Sequence, residues 1–263
     1  MKLTDYICRA CGAQGRYLWQ GQLLDIPVQY FECDACGYVQ TEQPYWLERA
    51  YSAAINDSDT GIMARNLANA RIVLATLLVL GKLNGRVVDC AGGYGILVRL
   101  LRDYGVEALW SDRYCKNLLA RGFEHTGESA ELVTAFEAFE HFVDPAEELN
   151  RLLLTSNNIL LSTEIIADPT PRPDQWWYYG RNHGQHIGFF RVRTLKKLAE
   201  RRGKYLISSG RTYHLITDGP TIPLAWRTLT KANKLIPLLV KKVIKSKTWE
   251  DHSIISNKNS CAI

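Results

Sequence analysis

Long apolar runs are scarce in this 263-residue chain. The longest spans only residues 72–80, too short to cross a bilayer, so no membrane span is expected. No secretory pattern opens the sequence, because Met1-Lys2-Leu3-Thr4-Asp5 leads straight into polar residues, and a reducing cytoplasm is the expected setting. Internal repeats and low-complexity segments are also lacking. Acidic residues are missing from residues 219–249, which hold seven lysines and arginines. Outside that stretch, 25 basic residues face 27 acidic ones. The body is therefore not a basic surface, and nucleic acid is not the expected partner. Apolar residues at 46% and charged residues at 22% are ordinary for a globular protein, and the length allows one large domain with a small appendage.

What is present begins with cysteine. Cys8-x-x-Cys11 and Cys33-x-x-Cys36 are separated by 21 residues, and each pair is followed by glycine, Gly12 and Gly37. Two such knuckles supply four thiolates to one tetrahedral Zn2+, as in a zinc ribbon. Two disulfides and a redox pair are the alternatives. Four thiolates leave no open position, so the ion is expected to be structural, stabilising a module too small to fold on a core alone. Cys90 and Cys115 read as packing residues, and Cys261 is left over.

The most informative stretch is Arg86-Val87-Val88-Asp89-Cys90-Ala91-Gly92-Gly93-Tyr94-Gly95. Val87 and Val88 read as a buried strand. Gly92, Gly93 and Gly95 allow a sharp turn and close approach of a ligand. Residues 96–104 read as a helix, which completes a nucleotide-cofactor crevice. The last glycine of G-x-G-x-x-G is replaced by Val98, and no Lys-Ser or Lys-Thr follows, so neither a dinucleotide fingerprint nor a phosphate loop is present. Asp89 would repel a pyrophosphate but suits a cationic amino acid moiety. Asp112 lies 17 residues after Gly95, about where a ribose-binding carboxylate belongs.

On these residues the chain resembles the class I S-adenosylmethionine-dependent methyltransferases, whose first motif is Asp-x-Gly-x-Gly-x-Gly; Ala91 stands for the first glycine. The resemblance implies S-adenosylmethionine as cofactor, with Asp89 toward its amino group, Ala91, Gly92, Gly93 and Gly95 around the adenosyl group, and Asp112 on the ribose. The strand at residues 131–136 ends in Phe136, which joins that set. It runs into Glu140-His141 and then Asp144-Pro145, similar to small-molecule methyltransferases of this class. The Asn/Asp-Pro-Pro-Tyr/Phe motif of nucleic-acid amino-methyltransferases is missing.

The expected fold is α/β, a Rossmann-like, doubly wound, mostly parallel seven-stranded sheet with a small N-terminal zinc ribbon. Strands are expected around Val87 and Val88, reaching Cys90, and near residues 106–110, 122–125, 131–136, 158–166, 204–208 and 213–217. Helices are expected at 62–80, 96–104, 113–120, 145–154 and 194–202. The domains read as a ribbon over 1–42, a connecting segment and long helix over 43–82, the core over 83–218, and a basic helical tail over 219–263 with a disordered end. Pro237 divides the tail into two short helices. Arg65 and Asn66 could reach a carboxylate or be ordinary surface residues.

Between the fifth strand and the next helix lie about 25 residues, long for such a connection. Residues 176–179, Trp-Trp-Tyr-Tyr, offer flat faces for a sugar ring, or else pack as a lid. His186 is the first candidate base and His141 the second, with Glu140 or Glu164 as orienting carboxylates; His183 is also near. The ribbon joined to this core resembles sugar methyltransferases, including the dTDP-sugar C-methyltransferases, and bacterial methyltransferases found with surface-polysaccharide genes. That resemblance implies a small-molecule or glycan acceptor. The competing readings are an RNA methyltransferase whose ribbon grips RNA and a binding protein that has lost catalysis. The basic tail could touch the inner membrane surface peripherally or pack on its own domain. The oligomeric state is open.

Overall fold

The computed structural model describes residues 6–51, 59–219 and 223–260. In chain order β1 (Tyr6–Ile7), β2 (Gln14–Leu23), β3 (Ile26–Cys33), β4 (Val39–Thr41) and the short helix α1 (Leu47–Ala50) precede the long helix α2 (Ile62–Leu80). Next come β5 (Arg86–Cys90), α3 (Ile96–Asp103), β6 (Glu107–Ser111), β7 (Leu132–Phe136), α4 (Pro145–Thr155) and β8 (Ile159–Ser162). The remainder is β9 (Gly188–Phe189), α5 (Val192–Glu200), β10 (Tyr205–Ser208), β11 (Tyr213–Thr217), α6 (Pro223–Lys231), α7 (Ile236–Val240) and α8 (Thr248–Ser260).

Two sheets form, in the orders β1-β2-β3-β4-β9 and β10-β11-β8-β7-β5-β6. The second gives the α/β, Rossmann-like character: β5 pairs in parallel with β6 and β7, and β10 pairs antiparallel with β11. It has six strands among the described residues, against seven expected. The strand expected near residue 122 is reduced to a single parallel bridge between Trp110 and Glu124. The helix expected over 113–120 is also missing among the described residues. Its later amides bond elsewhere than to the carbonyls four residues back: Leu118 and Leu119 donate N–H to the Tyr94 carbonyl at 3.2 and 3.0 Å, and Ala120 to Asn117 Oδ1 at 2.9 Å. A helix would need those amides for its own ladder.

The chain groups into two compact units, one of Met1–Asn56, Phe136–Leu154 and Leu161–Gly219, the other of Asp57–Ala135, Thr155–Leu160 and Pro220–Ile263. In the first, β2 and β3 form a hairpin whose inward residues Leu23, Val28 and Tyr30 are fully buried. They join Trp46, Tyr178, Tyr179, Ile187 and Phe189 in one apolar cluster. β9 extends this sheet by pairing Phe189 with Val39, so it draws on residues far beyond 42. α4 starts as expected: Pro145 is its first residue and Asp144 Oδ1 accepts the Glu147 N–H at 2.9 Å.

In the second unit α2 has the expected bounds. By length and its hydropathy of 1.4 it would pass as a membrane-crossing helix, yet its residues Asn69, Ala70, Ile72, Val73, Leu74, Ala75, Thr76 and Leu77 are buried in protein. Arg65 pairs with Asp59, and Asn66 donates to the Ile62 carbonyl. Trp226 of α6 is fully buried and donates to Thr76 Oγ1 at 2.9 Å. The stretch from residue 253, expected to be disordered, is helical as far as Ser260. Asp251 of α8 accepts two bonds from Arg102, at 2.7 and 2.6 Å, and one from Arg99 at 2.7 Å. Residues 261–263, Cys261 among them, lie outside the described residues, as do 1–5, 52–58 and 220–222.

Candidate functional site

The glycine turn lies in the second unit, between β5 and α3. Ala91, Gly93 and Gly95 have φ of +59°, +54° and +85°. Only glycine adopts this region at no steric cost, so Ala91 is strained where the family motif has glycine. A Cβ at Gly92 would lie 2.8 Å from the Trp110 ring. Trp110 Nε1 donates to the Gly93 carbonyl at 2.9 Å, bracing the turn from β6. The Gly93 N–H points to Asp112 Oδ2 at 2.9 Å. Asp112 is thus aimed at the bend and held there by three backbone N–H groups. A carboxylate accepts about four hydrogen bonds, so lone-pair capacity remains for a ligand.

Asp89 is the next-to-last residue of β5 and is 3% exposed. Thr134 of β7 donates to its Oδ1 at 2.6 Å. Burial pushes its carboxyl up to about 7; the Asp112 charge adds to the rise and the Thr134 hydroxyl opposes it. A cationic group brought beside Asp89 would restore its charge. Phe136, at the end of β7 in the first unit, packs edge-on against Tyr213 with ring centroids 6.0 Å apart.

The four cysteines of the first unit converge. Cys8, Cys11, Cys33 and Cys36 are all buried, and their sulfurs lie within 4.8 Å of one another. Cys8 and Cys36 Sγ are 3.6 Å apart, and Cys11 and Cys33 Sγ 3.5 Å. Thiolates on one tetrahedral Zn2+ at about 2.3 Å would be about 3.8 Å apart. Gly12 and Gly37 have φ of +72° and +73° and close each knuckle with an N–H to the Cys8 or Cys33 carbonyl. The glycines are therefore needed where the sequence pattern placed them.

A second polar cluster forms in the same unit. Glu140 and His141 lie on a 3-10 turn over Phe139–His141, and the Glu140 carbonyl accepts the Ile187 N–H at 2.8 Å. That bond draws the segment bearing His186 alongside. His141 and His186 ring centroids are 4.8 Å apart, nearly perpendicular, and His183 is 4.8 Å from His186. Tyr178 donates to Glu140 Oε1 at 2.7 Å. Burial, then the Glu137 charge, pushes Glu140 up to about 8. Burial, then His183, pushes His141 down to about 4, and burial holds His186 well below the ordinary imidazole range. Both imidazoles are uncharged at neutral pH, with lone pairs able to accept a proton.

The structure brings His141, His186 and Glu140 together but leaves Glu164 elsewhere, accepting the Thr212 hydroxyl at 2.7 Å. Three residues of the cluster were not anticipated there. Tyr51 bonds His141 Nδ1 at 3.0 Å, Tyr178 links the carboxylates, and Glu137, at φ +47°, accepts the Ser162 hydroxyl at 2.6 Å. The Glu-x-x-Glu spacing was the one available signal. Nor do all four aromatics of 176–179 offer open faces: Tyr178 and Tyr179 are core, and Trp177 is 77% exposed.

Comparison with known proteins follows this geometry. The family described as "Methyltransferase domain" matches residues 63–209. No curated protein matches the sequence. Among solved structures, the chain is similar to magnesium protoporphyrin IX methyltransferase from Synechocystis PCC 6803 with bound SAH: 14% identity, 65% of this chain and 92% of that one, TM-score 0.44. It is also similar to a 1,6-didemethyltoxoflavin-N1-methyltransferase from Burkholderia thailandensis: 15% identity, 72% and 93% coverage, TM-score 0.48. Human N-acetylserotonin methyltransferase in complex with SAM gives 14% identity, 58% and 51% coverage, TM-score 0.40.

Proposed function

The chain belongs to the methyltransferase-domain family, and we propose that it is an S-adenosylmethionine-dependent methyltransferase acting on a small-molecule acceptor, specifically a sugar or glycan hydroxyl. The observation that carries the reading is Asp112 held on the Gly93 N–H at 2.9 Å, which sets a carboxylate beside a left-handed glycine turn. In this proposal Asp112 receives the ribose hydroxyls, Asp89 faces the amino group, and Ala91, Gly92, Gly93 and Gly95 admit the adenosyl group, with Phe136 beside it. When bound, S-adenosylmethionine supplies an already activated sulfonium methyl.

The protein must then orient the acceptor and remove its proton. His186 is proposed as the base, with His141 as second candidate and Glu140 orienting them; the support is the approach of the two rings, 4.8 Å between centroids, beside Glu140. The four cysteines are proposed to hold a structural Zn2+, supported by their sulfur separations. The sugar acceptor rests on the motif resemblance and on exposed Trp177 as a stacking face. Incubating the protein with methyl-labelled S-adenosylmethionine and a panel of nucleotide-linked sugars, glycans and RNA tests the acceptor. Label in a sugar is the expected result; label confined to RNA contradicts it.

For the tail we propose peripheral contact with an anionic membrane surface. Leu235, Leu238, Leu239, Val243 and Trp249 are exposed in a segment that also carries Lys241, Lys242 and Lys245. Co-sedimentation with anionic liposomes is expected to fall when Leu238, Leu239 and Val243 become serine; unchanged sedimentation contradicts it.

A further inference from the structure

The cluster around Glu140 holds more donor atoms than proton removal needs. Glu140 is fully buried, and its Oε2 has no hydrogen-bond partner, while Oε1 accepts the Tyr178 hydroxyl. A buried carboxylate oxygen left alone is unfavourable, and a cation relieves it.

The neighbouring rings are in the state a cation requires. His186 Nδ1 lies 2.5 Å from the Tyr178 backbone carbonyl. A carbonyl only accepts, so Nδ1 carries the proton and Nε2 presents a lone pair. His141 Nδ1 is 3.0 Å from the Tyr51 hydroxyl, which can accept from it and leave His141 Nε2 as a second lone pair. Tying one ring nitrogen so that the other binds an ion is the usual arrangement of metal-ligating histidine. His183 is different: its Nδ1 accepts the Gln185 N–H at 3.1 Å, which puts the proton on Nε2. The Gln185 backbone carbonyl beside His141 is the competing acceptor for that ring.

We propose that Glu140, His141 and His186 bind one divalent first-row transition ion, separate from the four-cysteine site. One ligand atom from each lies within 4.8 Å of the others. Ligation at about 2.1 Å would draw such atoms to about 3–4 Å, a closure that side-chain rotation supplies. Two imidazole nitrogens and one carboxylate oxygen favour Zn2+, Fe2+ or Co2+ over Mg2+ and Ca2+, which prefer oxygen throughout. Three protein ligands leave a position open for water or an acceptor oxygen, unlike four thiolates.

The ion and the base role of His186 exclude each other, because both need its one free lone pair on Nε2; the test of the site is therefore binding alone. The full-length protein is saturated with Zn2+, dialysed, and its metal counted. Two ions per chain are expected, falling to one in Glu140→Gln and in His186→Ala. Because a variant can fail to fold, Co2+ titration of the unaltered protein gives a second readout. Weak ligand-field bands without thiolate charge transfer are expected in addition to the intense four-thiolate spectrum. One ion per chain in the unaltered protein, with only the thiolate spectrum at saturating Co2+, overturns the proposal. Retention of cofactor-product binding in that outcome would leave the methyltransferase reading intact.

Discussion

The glycine turn and the histidine cluster are built in opposite ways. The turn takes its shape from residues 89–95, contiguous in sequence, with Trp110 bracing it from the adjacent strand and Asp112 from just beyond that strand's end. The cluster gathers Tyr51, Glu140, His141, Tyr178 and His186 from three separated segments. The turn depends on backbone conformation, and Asp112 is held by N–H donors within three residues of itself or on that turn. The cluster depends on burial, which moves Glu140 up to about 8 and His141 down to about 4. A contiguous site is therefore perturbed locally, whereas an assembled one responds to the packing of its whole unit. The cysteine knuckles lie between these extremes, each contiguous but joined by a 21-residue gap.

The largest expected effect breaks the knuckles. Cys33→Ser should cost at least about 3 kcal/mol of stability, since ion binding supplies much of such a module's folding energy. Thermal melting with metal analysis checks it, and unchanged melting would separate the cysteines from the fold. Next, His186→Ala should lower turnover by about 10²–10⁴-fold while cofactor affinity stays within about threefold. A variant that loses both equally would show that cluster and turn are not independent sites.

Smaller effects sharpen the turn's side of the comparison. Asp112→Ala should weaken S-adenosylhomocysteine binding by about 10–100-fold in calorimetry, the loss of hydrogen bonds to a charged group. Asp89 predicts a pH dependence. Its carboxyl, pushed up to about 7, must ionise to receive an ammonium group, so affinity should rise with pH through that value. About tenfold is expected between pH 6 and pH 8, and Asp89→Asn should flatten the profile. Smallest is Ala91→Gly, which relieves the +59° φ and should stabilise by about 0.5–1 kcal/mol after the extra freedom of the unfolded chain is subtracted.

The same contrast explains what could be read from residues alone. The bounds of α2, the strand around Val87 and Val88 and the Asp144-Pro145 helix start were legible because their signals are local. The helix expected at 113–120 was not, because Leu118 and Leu119 give their amides to the Tyr94 carbonyl of the distant glycine turn, which helical periodicity ignores. β9 is two residues long and exists through a partner strand about 150 residues earlier. The helix α8 was hidden likewise, since Asp251 is secured by Arg102. Within the candidate site, His141, His186 and Glu140 carried a chemical signature. Tyr51 and Tyr178 had none, because nothing in sequence marks a tyrosine whose hydroxyl ends on a buried histidine or carboxylate.

Isothermal titration of the purified protein with S-adenosylhomocysteine tests the central claim most directly. The account predicts saturable binding of one molecule per chain, weakened by Asp112→Ala and strengthened as the pH rises from 6 to 8 with the ionisation of Asp89. Absence of binding by folded protein at any pH in that range would contradict it.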